Sequence, residues 1–362
     1  MNYIKLGQAI SRAKVSRCGD NDYPVLSITM KDGIVMQSDK FKKRIASKDI
    51  SEYKVIPAGM LVQGTHMDEG NFGIQDIVPY GIVSPAYTVW TVDESVVFPK
   101  YIEMVLRSPR CIDYYRSKLN GTVNRRGHMS EGDFLGMQIP CPSIEEQKHV
   151  VTTMNQVKQV MISLTEEMTA LDQLIKARFV EMFVGKGHPM IALDDLSLGK
   201  GEYGAQSASV AYDPKRPRYV RITDINDDGT LNDDVVYSAN IEDDEQYRLT
   251  YGDFMFARMG ATVGKTYAYK TGNQIFAGYL IRYRLNLSKI TPEYLFAYTQ
   301  LDEYKNWIVL NQSGAAQPGI NAKKYGSLKI PVAPMDMQRA FQDFVSQVDK
   351  SKLSLSQSLQ IG

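Results

Sequence analysis

Residues 121–151, "GTVNRRGHMSEGDFLGMQIPCPSIEEQKHVV", and residues 313–345, "SGAAQPGINAKKYGSLKIPVAPMDMQRAFQDFV", follow one order of features although few of their residues are identical. In each stretch, a turn of small residues leads to a loop with a glycine and basic residues. An Ile-Pro pair, a proline break and a glutamine that opens an apolar helix come next. Ile139 precedes Ile330 by 191 residues, and Gln147 precedes Gln338 by the same number. This constant spacing predicts a duplicated unit.

Further pairs keep nearly the same spacing. Pro99 precedes Pro292 by 193 residues, and Gly127 precedes Gly319 by 192. Each unit is expected to contain short strands, because residues 23–35 and 218–231 both read as a β-rich run into an Asp-Gly turn. Helices that begin with a proline in the first turn are expected from residues 99 and 292.

Composition sets only broad limits. A chain of 362 residues suits two or more domains, and 43% apolar with 23% charged residues is typical of soluble globular proteins. The net charge of +1 neither supports nor excludes a nucleic-acid partner. No apolar run reaches membrane-spanning length, and the three cysteines lack close spacing, which fits a reducing compartment. We therefore expect a cytoplasmic protein.

Two long helices are predicted, one from about residue 145 to 184 and one from about residue 336. Apolar residues recur along both at steps of four and three, which is the pattern of a coiled-coil seam. The seam consists of Val150, Met154, Val157, Met161, Leu164, Met168, Leu171 and Ile175 in the first helix, and Phe341, Val345, Val348 and Leu355 in the second. A single seam of this kind also fits an ordinary core helix. Two seams at equivalent places favour an antiparallel pair that buries both stripes about a two-fold axis.

The order of domain, long helix, second domain and second helix, with "PSIEEQ" at 142–147 and "LIKARFVEMF" at 174–183, resembles the specificity subunit of type I restriction-modification enzymes. Residues 257–269, "ARMGATVGKTYAY", and 317–334, "QPGINAKKYGSLKIPVAP", are similar to parts of that family's target-recognition domains. Residues 64–74 of the first unit, "GTHMDEGNFGI", lack the Arg and Lys that the second unit carries at the equivalent place in residues 257–267.

The resemblance implies an α+β fold with two β-rich target-recognition domains, separated by two long antiparallel coiled-coil-like helices and duplicated about a pseudo-two-fold axis. The domains would cover residues 1–142 and 187–333, and the helices 143–186 and 334–362. The implied role is a non-catalytic subunit that reads a two-part DNA sequence and docks two methyltransferase subunits, which motor-nuclease subunits then join. No cofactor is expected on this chain itself. S-adenosylmethionine is expected in the partner methyltransferase.

The residues also indicate DNA binding by their chemistry. Arginine can donate two hydrogen bonds to guanine, asparagine and glutamine can pair similarly with adenine, and lysine serves mainly phosphates. The candidate contacts in the paired loops are Arg125, Arg126, His128, Gln317, Asn321, Lys323 and Lys324. A second group consists of Arg258, Lys265, Arg216, Arg218 and Arg221 in the second unit, and Lys40, Lys42, Lys43 and Arg44 in the first.

The sequence supports catalytic functions less well than DNA binding. "GATVGKT" at 260–266 has only three residues between its glycines, whereas a phosphate-binding loop needs four. Glu52-x-Lys54 is the kind of pair found in nucleases, but such pairs are common on charged surfaces. The four histidines lack metal-ligand spacing, so no metal site is expected. A non-catalytic coiled-coil scaffold whose two β-rich domains bind a protein or a sugar remains the alternative function.

Overall fold

The computed structural model describes residues 2–40, 49–118, 129–211, 213, 215–239, 244–313 and 318–361. The chain forms two compact units, Met1–Val160 and Met161–Gly362. The boundary falls inside one continuous helix, which therefore contributes its first part to unit 1 and its second part to unit 2.

Unit 1 is built from short strands followed by helices. Its elements are β1 (Tyr3–Lys5), β2 (Ile10–Arg12), β3 (Leu26–Thr29), β4 (Gly33–Met36), α1 (Gln37–Lys40), β5 (Lys54–Pro57), β6 (Leu61–Gln63), β7 (Phe72–Ile74), β8 (Tyr80–Val83), β9 (Thr88–Val92), α2 (Pro99–Leu106), α3 (Pro109–Lys118), α4 (Glu131–Gly136), β10 (Gln138–Pro140) and α5 (Ile144–Phe183). Phe72, Trp90, Tyr115 and Phe134 pack together in its core.

Unit 2 repeats this plan after α5. Its elements are β11 (Met190–Ala192), β12 (Glu202–Tyr203), β13 (Ser209–Val210), β14 (Arg218–Val220), β15 (Tyr237–Ser238), β16 (Asp253–Ala257), β17 (Thr266–Ala268), β18 (Gln274–Phe276), β19 (Leu280–Arg284), α6 (Pro292–Thr299), α7 (Asp302–Asn311), α8 (Ala322–Gly326), β20 (Lys329–Pro331) and α9 (Met335–Ile361). Its core contains Phe254, Phe256, Tyr294 and Tyr325.

The strand order confirms the predicted duplication. Unit 1 has a four-stranded sheet in the order β2-β9-β6-β7, and unit 2 has one in the order β12-β19-β16-β17. In both units the first strand pairs antiparallel with the strand that precedes the long helix, with Ile4 opposite Ile139 and Ile191 opposite Ile330. The units differ in their second layer. Unit 1 has two separate two-stranded sheets there, β3-β4 and β5-β8, whereas unit 2 has the four-stranded sheet β13-β15-β14-β18.

Within unit 2, α9 packs antiparallel on the second part of α5. The ring of Phe341 lies 5.4 Å from that of Phe179, and Nζ of Lys352 lies 2.5 Å from the Asp172 carboxylate. The seam residues Leu164, Met168, Leu171 and Ile175 are half-buried there, whereas Phe341 and Val348 are fully buried. The predicted pairing of the two seams is confirmed over this part.

The first part of the α5 seam differs from the prediction. Val150, Met154, Val157 and Met161 are 40%, 50%, 37% and 47% exposed. These four residues of the predicted seam are therefore not covered within the described part of the chain. The reason is length, since α9 has 27 residues and α5 has 40.

The end of α5 also departs from the heptad pattern. The heptad step after Ile175 falls on Arg178, but Phe179 and Phe183 are the buried residues there, at 1% and 2% exposure. Their rings contact Tyr294 of α6 as well as Phe341. The helix changes its buried face at this point because it packs against a domain as well as against another helix.

Candidate nucleic-acid interface

Part of the predicted interface lies outside the residues that the structure describes. These candidates are Arg125, Arg126, His128 and Gln317 of the paired loops, and Lys42, Lys43 and Arg44. The geometry below therefore concerns the other candidates.

Two segments far apart in sequence meet at the end of strand β16. Residues 253–257 of this strand are all buried, and the chain emerges at Arg258. The backbone N–H of Ile320 donates to the carbonyl of Arg258 at 2.9 Å, and that of Gly260 donates to Pro318 at 2.9 Å. Gly260 has φ +72°, a conformation that favours glycine. These bonds place Arg258 beside the segment that leads into α8.

The Arg258 side chain lies against two tyrosine rings. Its guanidinium carbon is 4.9 Å from the ring centroid of Tyr203 and 5.8 Å from that of Tyr279. Both distances are within the range of cation–π attraction. Nε of Arg258 is buried and has no hydrogen-bond partner among the described residues. We call Arg258, Tyr203 and Tyr279 the arginine-tyrosine cluster.

Helix α8 lies directly beside this cluster. The Tyr203 hydroxyl accepts the backbone N–H of Ala322 at 3.1 Å. Asn321 is the N-cap of α8, and its Oδ1 accepts the N–H of Lys324 at 2.9 Å. The side chains of Lys323 and Lys324 are exposed, and neither forms an ion pair with any residue that the structure describes. The cluster and these lysines form a cationic surface whose charges are available to an anionic partner.

The basic run at 216–221 has another role in the described part of unit 2. Arg216 binds Asp213 at 2.9 Å and the Ser238 carbonyl at 2.6 Å, and Arg218 donates to the Asn232 carbonyl at 2.6 Å. These contacts join β14 to its neighbouring loops. The geometry therefore does not bring these guanidinium groups to the cationic surface.

Arg221 is held more strongly still. It binds the fully buried carboxylate of Asp224 and the exposed one of Asp234, at 2.7 and 2.9 Å. The hydrogen bond to Asp224 is the main cause that raises the pKa of Arg221. Because two carboxylates already accept hydrogen bonds from this guanidinium, few of its donors are available for DNA.

Two candidate lysines are also paired. Nζ of Lys265 lies 2.8 Å from Asp227, and that of Lys40 lies 2.6 Å from Asp32. In each case the hydrogen bond from the lysine lowers the pKa of the carboxyl group. Both pairs are largely exposed, and exposed pairs of this kind contribute little to stability. Lys265 precedes strand β17, as expected for a stretch that is not a phosphate loop.

Unit 1 carries the opposite charge at the place equivalent to α8. The first turn of α4 carries Glu131 and Asp133, whereas that of α8 carries Lys323 and Lys324; Ser130 caps the first helix and Asn321 the second. The hydrogen bond from Ser130 lowers the pKa of Asp133. Gly64 follows β6 where Arg258 follows β16. The predicted lack of basic residues in this part of unit 1 therefore extends to α4.

Sequence reasoning missed Tyr203 and Tyr279 as members of the site. They lie 55 residues before and 21 residues after Arg258, and no local pattern connects the three. Neighbouring glycines gave a partial signal, since glycine is favoured where the backbone must approach another group closely. Gly204 and Gly278 are the sequence neighbours of the two tyrosines, and a Cβ on Gly204 would lie 2.4 Å from the carbonyl oxygens of Phe276 and Ala277.

Comparison with known proteins agrees with this geometry. Residues 199–361 match the family "Type I restriction modification DNA specificity domain". A chain from a solved structure on the "structural basis underlying complex assembly and conformational transition of the type I R-M system" has 17% identity and a TM-score of 0.58, over 99% of this chain and 93% of that one. The type I restriction-modification S subunit from M. genitalium has 12% identity and a TM-score of 0.55, over 99% and 92%. No curated protein matches the chain.

The second copy of the duplicated α+β unit, which carries the cationic surface, is therefore the part of the chain that matches a DNA specificity domain. The family match is thus confined to residues 199–361, whereas the likeness in fold to the solved structures extends over 99% of the chain. Specificity subunits of this family are non-catalytic and are not themselves cofactor-binding enzymes. In the part of the chain that the structure describes, no helix has the length and apolarity needed to cross a membrane.

Proposed function

We propose that this chain is the DNA sequence-specificity subunit of a type I restriction-modification system, and that each unit reads one half of a two-part target. The observation that carries the proposal is the repeated strand order, β2-β9-β6-β7 and β12-β19-β16-β17, in a chain whose second copy matches a DNA specificity domain. Two copies of one reader suit a target with two half-sites. The scaffold alternative is not favoured, because the matched family is defined by DNA specificity.

In this proposal the β-rich domains and the long helices have different roles. The readers are residues 1–142 and 187–333, and the helices at 143–186 and 334–362 set the distance between the half-sites. The described loop surface of unit 2, with Arg258, Lys323 and Lys324, supports the reading role because its cations lack ion-pair partners among the described residues. We assign Lys323 and Lys324 to phosphates, since lysine is a point charge on a flexible stem.

The helices also bind the partner subunits in this proposal. Val150, Met154, Val157 and Met161 leave an apolar stripe exposed along the first part of α5. Contiguous exposed apolar surface of this kind marks an interaction site. Two methyltransferase subunits, which bind S-adenosylmethionine, would dock on the helices, and the motor-nuclease subunits would join them.

A domain exchange tests the reading role. Replacing residues 1–142 by the same unit of a relative should change one half-site and leave the other half-site and the gap unchanged. Sequencing of methylated sites in cells that carry each protein measures all three. Simultaneous change of both half-sites would show that the units read DNA jointly and would contradict the proposal.

A pair of charge substitutions tests the partner role. Met154→Asp should weaken assembly with the methyltransferase subunits, because it places a charge in the apolar stripe. Thr153→Asp adds the same charge at an exposed neighbouring position and should leave assembly intact. Because Met154 is half exposed, neither change should alter the melting temperature of the chain alone. Normal assembly of the Met154→Asp protein would move the partner surface elsewhere.

A further inference from the structure

We infer that Arg258 reads a guanine in the half-site bound by unit 2, and that Tyr203 and Tyr279 are positioning residues that hold its guanidinium for this contact. This inference rests on the proposed function. It adds the base class, the reading residue and the two residues that orient it.

The first argument is the state of the guanidinium group. Arg282, in the same unit, is 2% exposed and binds Glu202 and the Arg248 carbonyl. Arg216 and Arg221 are likewise occupied by carboxylates. Arg258 differs from all three, because its guanidinium forms no hydrogen bond or ion pair with the described residues and its Nε is buried. Because the terminal nitrogens of the Arg258 guanidinium have no protein acceptor among the described residues, they are the groups that a ligand can meet.

The second argument is that both the backbone and the side chain of Arg258 are held in place. Its backbone N–H donates to the Tyr279 carbonyl at 3.0 Å, and its carbonyl accepts the N–H of Ile320 at 2.9 Å. The two tyrosine rings then limit the side chain itself. Since few rotamers remain to be frozen on binding, the arrangement is preorganised.

The third argument concerns the kind of ligand. Tyr203 and Tyr279 are 43% and 56% exposed, so the cluster is open to solvent. The guanidinium carbon lies within cation–π distance of both rings, and the terminal nitrogens of the guanidinium form no hydrogen bond with the described residues. Guanine presents N7 and O6 in the major groove as a matching pair of acceptors, and arginine is their commonest partner. A phosphate contact needs no such orientation, and the exposed Lys323 and Lys324 are adjacent for that purpose.

Tyr203 has a second function in this arrangement. Its ring lies on Arg258, and its hydroxyl accepts the N–H of Ala322 at the first residue of α8. It therefore sets the position of the reading side chain relative to Lys323 and Lys324. The Tyr279 hydroxyl forms no hydrogen bond with the described residues, so its contribution is the ring alone.

The test uses the full chain in complex with its methyltransferase subunits and the target defined by methylation mapping. Duplexes carry 7-deazaguanine, which lacks the N7 acceptor, at one guanine at a time in the half-site of unit 2. For the unchanged protein, one such position should weaken binding about 5- to 150-fold, the range for a bidentate arginine contact. In the Arg258→Ala and Arg258→Lys proteins, 7-deazaguanine at the same position should not weaken binding any further. Arg339→Ala, which removes an exposed arginine from α9, should keep the full effect.

The tyrosines are tested by the same coupling. Tyr203→Leu and Tyr279→Leu each remove a ring. Each should reduce the loss of binding that 7-deazaguanine causes, and thermal unfolding checks that each variant is folded. Tyr203→Phe should also reduce this loss, because the Ala322 bond is lost, whereas Tyr279→Phe is the matched control and should not. A purely structural tyrosine would lower stability without changing this coupling.

Two results overturn the inference. If Arg258→Ala and Arg258→Lys weaken target and scrambled duplexes equally, Arg258 contacts a phosphate. If no 7-deazaguanine position is coupled to Arg258 although the unchanged protein prefers its target, the assignment of Arg258 alone fails. Equal binding of target and scrambled duplexes by the unchanged complex is distinct, since it overturns the proposed function together with this inference.

Discussion

Gln147 and Gln338 make the same hydrogen bonds at the start of the two long helices. Oε1 of Gln147 accepts the backbone N–H of Phe98 at 2.8 Å, and Oε1 of Gln338 accepts that of Thr291 at 3.0 Å. Their Nε2 groups each donate to two carbonyls, those of Val96 and Pro142 in unit 1 and those of Lys289 and Ala333 in unit 2. Both side chains are fully buried. Each glutamine thus fastens a long helix to the start of α2 or α6 in its own unit.

Gln338→Ala should destabilise the chain by about 1–3 kcal/mol or more, because the substitution leaves buried backbone groups without partners. Denaturant unfolding followed by circular dichroism measures the loss. Gln347→Ala, at an exposed position of the same helix, is the control and should change stability by less than about 0.5 kcal/mol. Equal stability of the two variants would mean that the Gln338 bonds are not needed.

Phe341→Ala should cost about 3–5 kcal/mol, because it removes a fully buried ring that contacts Phe179 and Phe183. Leu353→Ala removes an apolar side chain from the same helix at a position that is 60% exposed, and it should have a small effect. Thermal unfolding compares the two. If both variants melt like the unchanged protein, α9 is not packed on α5 as described.

Replacing Lys323 and Lys324 together by alanine should weaken DNA binding regardless of sequence. Affinity falls as salt rises, and each phosphate contact makes this dependence steeper. If both lysines contact phosphates, the slope of log affinity against log salt should become less negative by about two, close to one per lost contact. Binding titrations at several salt concentrations measure the slope. The double change of Lys329 and Lys350, also exposed in unit 2, is the control. An unchanged slope in the first variant would move these lysines away from the DNA.

Alkaline pH should destabilise unit 2. Burial raises the pKa of Tyr294 and of Tyr298 to about 12, whereas a tyrosine in an unfolded chain ionises near pH 10. The folded state therefore keeps these protons while the unfolded state loses them, and stability falls as pH rises from about 10 to 12.

Tyr298→Phe removes one of these groups. The dependence of unfolding free energy on pH in that window should become shallower by about 1.4 kcal/mol per pH unit, which corresponds to one proton. Urea unfolding at a series of pH values measures this slope. If the slope does not change, Tyr298 is not held protonated by the fold.

The sequence predicted the duplication and both long helices because these depend on spacing and periodicity. Gln147 and Gln338 were visible as a repeated pair, although their bonds were not. The sequence did not predict that Phe179 is buried, because the heptad step after Ile175 falls on Arg178. The contact of Phe179 with Tyr294 of α6 explains why the buried face of the helix shifts there.

The candidate interface was harder to predict. Charge alone does not distinguish an arginine that contacts DNA from one that binds carboxylates and carbonyls of its own unit. The run with Arg216, Arg218 and Arg221 has the highest local density of arginine, yet carboxylates and carbonyls of the same unit hold it. Arg258 stands alone in sequence, and its tyrosine neighbours come from two other strands or turns. Pairings of this kind depend on the tertiary fold.

The strand pairs β1–β10 and β11–β20 have one more consequence. In each unit they bring the incoming and outgoing chain side by side, immediately before a long helix begins. Most of each core comes from the chain between the two strands, and the long helices add Val151 in unit 1 and Phe179, Phe183 and Phe341 in unit 2. If each unit reads one half-site, as we propose, recombination at those two points would exchange one reader and leave the helix sequence unchanged. A new combination of half-sites would then arise in a single genetic event.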